Sequence, residues 1–167
     1  MADLFAKNGA KVIVADIDLD SARKVAEGTG GYALEVDVSN AKSVEQMKID
    51  IFKEHEKVDI VVNNAGTTHL PAPMETIEED EFDRVFNVNC KSVYLTAKHF
   101  VPHFKENKSG VILNIASTAG VSPRPNLNWY NSSKGWMILA SKTMAVELAP
   151  FGIRVNVINP VAVSYTH

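Results

Sequence analysis

Tyr130 and Lys134, four positions apart, are the side chains of this sequence whose types and spacing could do chemistry. If residues 130–134 are helical, the two share a face, and an ammonium beside the phenol favours its ionised form. A phenol so placed can give or take a proton. By itself the pair is a weak signal, because Y-x-x-x-K also occurs on ordinary helix surfaces. Two other residues add to it. Ser117 ends an apolar run, and Asn89 stands four residues from both Val85 and Val93, inside an otherwise apolar stripe, where a buried amide must find partners. His99 and His103 have a spacing that can bind zinc, yet Pro102 lies between them and no Glu follows His99, so no metal is expected. His55, His69 and His167 are expected to be solvated.

These residues need elements to position them. Residues 2–8 read as a helix stopped by Gly9, and 11–15 as a β-branched strand of buried type. Asp16 follows it, with Asp18 as N-cap of a helix to about Gly28. A glycine turn leads into a strand over 32–36, which runs into Asp37 and Val38. Ser39 is placed to cap a helix over 42–55, and residues 58–62 form a strand ending at Asn63, Asn64, Ala65 and Gly66. Thr76 with Glu79 is a capping-box pattern opening one long helix over 77–104. A strand over 110–115, a helix over 131–149 and a last strand over 152–158 complete the series. Strands alternating with helices predict β-α-β units and a parallel sheet covered on both faces, with ligands at the carboxyl ends of the strands. Helix 131–149 is apolar nearly all round, which leaves one side for a second subunit.

Composition narrows the class of partner. The 167 residues are 46% hydrophobic and 22% charged, with a formal net charge of −3. That balance suits one globular domain and argues against nucleic acid or an acidic membrane surface. No apolar run is long enough to span a bilayer, and the N-terminus lacks the features of a signal peptide. The single Cys90 permits no internal disulfide and fits a reducing cytoplasm. A small molecule is the expected partner.

The joint order of Asn63-Asn64-Ala65-Gly66, Asn89, Ser117, Tyr130-x-x-x-Lys134 and Asn159-Pro160 resembles the short-chain dehydrogenase/reductase family over nearly the whole chain. The resemblance implies a Rossmann-like, doubly wound α/β fold in three layers. It also implies reversible hydride transfer between NAD(H) and a secondary alcohol or ketone. Tyr130 would be the general acid/base and Lys134 would tune it and bind the nicotinamide ribose. Ser117 would hold the substrate oxygen, and Asn89 a water leading from Lys134 to solvent. Asp16, with Ile17 beside it, would take the adenosine ribose diol and repel the extra phosphate of NADP, so NAD is expected and an NADP-dependent carbonyl reductase is the nearer alternative. Asp37 and Val38 would contact adenine. Asn64, Ala65, Gly66 and Pro160 would lie along the rest of the cofactor, with a homodimer or homotetramer as the assembly.

The chain also departs from the family pattern. No glycine-rich turn stands before Gly9, and the chain stops at His167, ahead of a lid and final strand, with Tyr165 where the family carries threonine. The expectation is a domain lacking its first strand, its lid and its last strand, weak or inactive alone. A non-catalytic role, pairing with intact relatives through helices 77–104 and 131–149, is the alternative of another class. The substrate loops, 67–74 and 122–128, do not identify a substrate.

Overall fold

A computed structural model describes residues 1–161; Tyr165 and His167 lie outside the described residues. The chain divides into two compact units, Met1–Glu54 and His55–His167. Both show the expected α/β, Rossmann-like pattern, in which parallel strands alternate with helices.

The first unit contains α1 (Ala2–Lys7), β1 (Ile13–Asp16), α2 (Leu19–Thr29), β2 (Tyr32–Glu35) and α3 (Ala41–Glu54). β1 and β2 pair in parallel, Ile13 opposite Tyr32 and Asp16 opposite Glu35. Gly9 follows α1 at φ +85°, a conformation glycine adopts without steric cost. The Asp18 side chain accepts from the Asp20 and Ser21 amides and caps α2 as expected. The cap of α3 differs from the expectation. Asn40, not Ser39, accepts from the Lys42 and Ser43 amides, because the Ser39 hydroxyl and amide both donate to Asp37 Oδ1. β1 is not buried either: Ile13 and Val14 are half-buried and Ala15 and Asp16 exposed. In a two-stranded sheet each strand keeps an unpaired edge, and the unit's buried side chains come instead from the helices, chiefly Ala22, Ala26, Val44, Met47 and Ile51.

The second unit holds a three-stranded parallel sheet of β3 (Ile60–Asn63), β4 (Gly110–Ile115) and β5 (Ile153–Ile158), with β4 central. Val111 pairs with both Ile60 and Arg154. Gly110, Ile112 and Asn114 are buried and the residues between them half-buried, as a strand covered on both faces should be. A core of Val93, Ala116 and Met137 packs against Ile138, Met144 and Val157.

The long helix expected over 77–104 is broken into α4 (Glu79–Phe86), a π-helical turn (Asn87–Lys91) and α5 (Ser92–Asn107). The wider turn leaves the stripe facing inward, with Val85, Asn89, Val93, Phe100 and Phe104 all buried. Such turns are frequent at functional sites. The capping box is not formed. Thr76 closes a short 3₁₀ turn, Met74–Thr76, where its hydroxyl donates to the Pro73 carbonyl (2.8 Å). Glu78 precedes α4 without a side-chain cap. Pro102 sits inside α5. α6 (Asn128–Leu148) starts three residues earlier than expected, which puts Tyr130 in its first turn. Among the described residues no helix is long and apolar enough to cross a membrane.

Candidate active site

In the second unit, β4 delivers Ile115 and, two residues on, Ser117. The Ser117 hydroxyl oxygen accepts from the Ala119 amide (3.1 Å) and opens a 3₁₀ turn, Thr118–Gly120. That leaves the O–H to donate to a bound oxygen. Gly120 lies against the backbone of α6: a Cβ there would come within 2.7 Å of the Lys134 carbonyl carbon and 2.8 Å of the Gly135 nitrogen. Only glycine permits so close an approach. The 3₁₀ turn thus brings Ser117 to the helix that carries Tyr130 and Lys134.

Lys134 is buried, and its Nζ donates to the Ile115 carbonyl (3.0 Å). The same ammonium sits where a Cβ on Gly66 would be 3.1 Å from it and 3.5 Å from Asn89 Oδ1. Gly66, Asn89 and Lys134 therefore converge. Burial lowers the Lys134 pKa, partly offset by Cys90. Two of its three ammonium hydrogens remain for a ligand or water. Tyr130 is half-buried, and its phenol makes no hydrogen bond among the described residues. Pro160 is drawn to the same end, since its carbonyl accepts from the Thr118 amide (3.2 Å).

Asn89 has its two donor hydrogens committed within the protein, one to the Thr67 carbonyl (2.9 Å) and one to Ser133 Oγ (2.8 Å). Its Oδ1 accepts from the Thr67 amide (2.8 Å), which leaves one acceptor lone pair for a water. Cys90, next in the π turn, is buried, and burial pushes its thiol up to about 11. A thiol held protonated in the folded state stabilises it fully below the unfolded value, 9.0, and that contribution is lost as pH rises towards 11. Lys134 acts in the opposite sense, because its lowered pKa makes its own contribution more favourable as pH approaches 10.5. The urea midpoint of the chain, relative to its Cys90→Ala variant, is therefore expected to fall between pH 9.0 and 11. An unchanged difference over that window would contradict the assignment.

His69 is not solvated but 1% exposed, with Nδ1 2.8 Å from the Leu70 carbonyl. Arg84 donates to Thr67 Oγ1 and to the Thr68 carbonyl, in the loop that carries His69. His103 Nε2 accepts from the Val58 amide (3.2 Å). Among the described residues no three His, Cys, Asp or Glu side chains are grouped to hold a metal. The loop over 67–74 is joined to residues 122–129 by the Ala72 amide donating to the Asn126 carbonyl (3.0 Å) and by Trp129 Nε1 donating to the Met74 carbonyl (3.2 Å). They border an open cleft of about 470 Å³ lined by Arg124, Asn126, Asn128 and Asn131 among others, but by neither Ser117 nor Tyr130.

The first unit carries the residues expected at the adenosine end. Asp16, exposed at the end of β1, accepts from the Asp18 amide through Oδ1 (3.0 Å), so Oδ2 remains for a ligand. Ile17 is exposed, while Asp37 and Val38 are half-buried. Asp37 Oδ1 is taken by Ser39. Asn63 and three polar residues not singled out in the sequence, Thr96, Asn114 and Ser141, tie the second unit's sheet together. Asn63 Nδ2 donates to Asn114 Oδ1 (2.7 Å), Thr96 donates to Asn63 Oδ1 (2.9 Å), and Asn114 Nδ2 donates to Ser141 Oγ (2.8 Å). An asparagine inside the apolar run of β4 was the available signal; nothing comparable marked Ser133 or Ser141.

Residues 1–166 match the family model described as Enoyl-(Acyl carrier protein) reductase. The chain belongs to the short-chain dehydrogenase/reductase family. That family comprises NAD(P)-dependent oxidoreductases. The structure is similar to the 3-ketoacyl-(acyl-carrier-protein) reductase of Brucella melitensis complexed with NADH, at 46% identity and a TM-score of 0.94, covering 96% of this chain and 69% of that one. It is also similar to an NAD⁺-bound xylitol dehydrogenase, at 29% identity and a TM-score of 0.92, covering 99% and 65%. In sequence, the 3-oxoacyl-[acyl-carrier-protein] reductase FabG of Thermotoga maritima is 36% identical over 164 residues, 94% of this chain and 65% of the relative. The chain spans 40% to 65% of the length of the curated relatives it matches.

Proposed function

We propose that this chain carries the proton-transfer site of an NAD-dependent dehydrogenase/reductase that interconverts a secondary alcohol and a ketone. The observation that carries the reading is the seat of Lys134: its Nζ lies between the Ile115 carbonyl and Gly66, one helical turn from Tyr130. The absence of a side chain on Gly66 keeps that seat open, and the free ammonium hydrogens suit a ribose hydroxyl. NAD(H), when bound, supplies or accepts the hydride at the carbinol carbon. In oxidation the Tyr130 oxygen would take the proton of the substrate hydroxyl, and in reduction it would return a proton to the carbonyl oxygen. Ser117 O–H donates to that oxygen and stabilises the charge on it. Asp16 would accept from the adenosine ribose diol, with Ile17, Asp37 and Val38 around adenine. Asn64, Ala65, Gly66 and Pro160 would line the nicotinamide half. The cleft between the substrate loops would take the remote, polar end of the substrate.

A second reading rests on α5 and α6. Trp136, Leu139 and Val146 are exposed, and with Val93, Tyr94, Ala97 and Met144 the first two border an apolar groove of about 390 Å³. Such a face suits pairing with a second copy, as a homodimer or homotetramer, or with a full-length homologue.

One experiment separates the readings. Residues 1–161 are joined to the flanking segments of the Brucella melitensis reductase, and NADH and NADPH are titrated by fluorescence during sedimentation analysis. NADH is expected to bind about tenfold or more tighter than NADPH, since like-charge repulsion of about 1.4 kcal/mol suffices for that ratio. Replacing Asp16 by Ser should narrow it. Equal affinities would overturn the NAD assignment. Self-association without cofactor binding or turnover would favour the assembly role.

A further inference from the structure

Ser133 is fully buried in α6, between Tyr130 and Lys134. Its hydroxyl donates to the Tyr130 carbonyl (2.7 Å) and accepts from Asn89 Nδ2 (2.8 Å). Its own carbonyl faces Cys90 Sγ at 3.6 Å, so two successive residues of the π turn bond to this one serine. Asn89 is in turn clasped to Thr67 through both main-chain groups. That pairing fixes the orientation of the amide, because a flipped Asn89 would turn its NH₂ towards the Thr67 N–H. Thr67 adjoins Gly66, against which the Lys134 ammonium rests. The connections form a closed circuit from Gly66 through Thr67, Asn89 and Ser133 to Tyr130 and Lys134.

We propose that Ser133 is a positioning residue for the Tyr130–Lys134 pair, locking the first turns of α6 to the π turn so that the ammonium stays against Gly66. The proposal rests on the proton-transfer reading of these two residues. It also gives the π turn a role. The turn presents Asn89 to Thr67 and Ser133 together, and the adjacent Cys90 to the Ser133 carbonyl. Without the hydroxyl, one Asn89 hydrogen loses its buried acceptor and the Tyr130 carbonyl loses a second donor. The start of α6 then loses its hydrogen bond to Asn89 and keeps the Cys90 thiol on the Ser133 carbonyl and, one turn earlier, Trp129 on the Met74 carbonyl.

The test needs no cofactor, so its failure and a failure to bind NAD are separate results. In the 167-residue chain with ¹³C-labelled lysine, the Lys134 signal, assigned by its loss in Lys134→Met, is titrated by NMR, and exchange of the Thr67 amide is followed. Ser133→Ala is expected to move the Lys134 midpoint up towards the ordinary lysine value, as the ammonium gains water. It should also speed Thr67 exchange by about tenfold or more, with the β4–β5 ladder unchanged. Ser133→Cys, close in size and a weaker hydrogen-bonding group, should fall between the two and serves alone if the alanine variant does not fold. A native midpoint and native Thr67 exchange in the folded variant would overturn the proposal. So would a uniform rise in exchange over the whole sheet.

Discussion

Replacing Tyr130 by Phe in the chimera with the Brucella melitensis flanking segments is expected to lower kcat for alcohol oxidation by about 10²- to 10⁴-fold, the usual contribution of a positioned acid/base. kcat and kcat/KM should fall together, because the missing interaction acts on the transition state. The fold should hardly notice. Tyr130 is half-buried and its phenol has no protein partner among the described residues, so removing the oxygen leaves no donor or acceptor orphaned. The bonds that place its backbone, from Ser133 Oγ above all, do not involve the ring. A stability change within about 0.5 kcal/mol is expected from a substitution that removes no buried contact. Phe is also a sharper probe than a change at Lys134, whose buried ammonium bonds the Ile115 carbonyl and would alter packing with chemistry. Activity within about threefold of the parent, far short of a general-acid effect, would remove Tyr130 from the role proposed for it.

The largest effect on stability is expected from Phe104→Ala. Phe104 is fully buried near the end of α5, which finishes at Lys108 in a left-handed conformation, φ 49°. Its ring lies flat on the start of β4: a Cβ on Gly110 would meet three of its atoms at 2.4 to 2.8 Å. Ring and glycine fill one slot between them. Truncation would open a cavity that Gly110, having no side chain, cannot fill, and β4 cannot move inward because it is paired on both sides, to β3 and β5. A loss of about 3–5 kcal/mol is expected, the range for buried Phe to Ala, read as a lowered urea midpoint for His55–His167. A loss below about 1 kcal/mol would mean that the site collapses around the deletion, which the spread of such measurements allows only where neighbours can relax.

Where the helix caps differ from those the sequence predicts, a local competitor lies behind the difference. Ser39 was read as a cap from its type and place, but Asp37 two residues earlier accepts both its hydroxyl and its amide, and Asn40 takes over the helix. Thr76 fitted a capping box, but the Pro73 carbonyl captured its hydroxyl in a tighter turn. His69 looks like a loop histidine in sequence. It is buried in a loop whose preceding residues, Thr67 and Thr68, are bonded by Arg84, 15 positions further along the chain. Pattern carries no record of which acceptor wins when several lie within reach.

The order and type of the elements, the parallel sense of the strands and the placement of Ser117, Asn89, Tyr130 and Lys134 along them were legible from residue types alone. Hydrophobic period and strand–helix alternation are local properties, and side chains four apart on a helix share a face wherever that helix lies. What only the tertiary structure decided is how Lys134 is held. One hydrogen bond to Ile115, the bare backbone of Gly66 and the clasp from Asn89 to Ser133 come from four segments of the chain. The π turn belongs with them. Over 85–93 the apolar spacing reads the same for a continuous helix as for one with a widened turn, and the choice rests on where Thr67 and Ser133 stand to receive the Asn89 amide. Tyr130 and Lys134 are a pair by sequence; whether they form a site is decided by the side chains and carbonyls that distant segments bring against them.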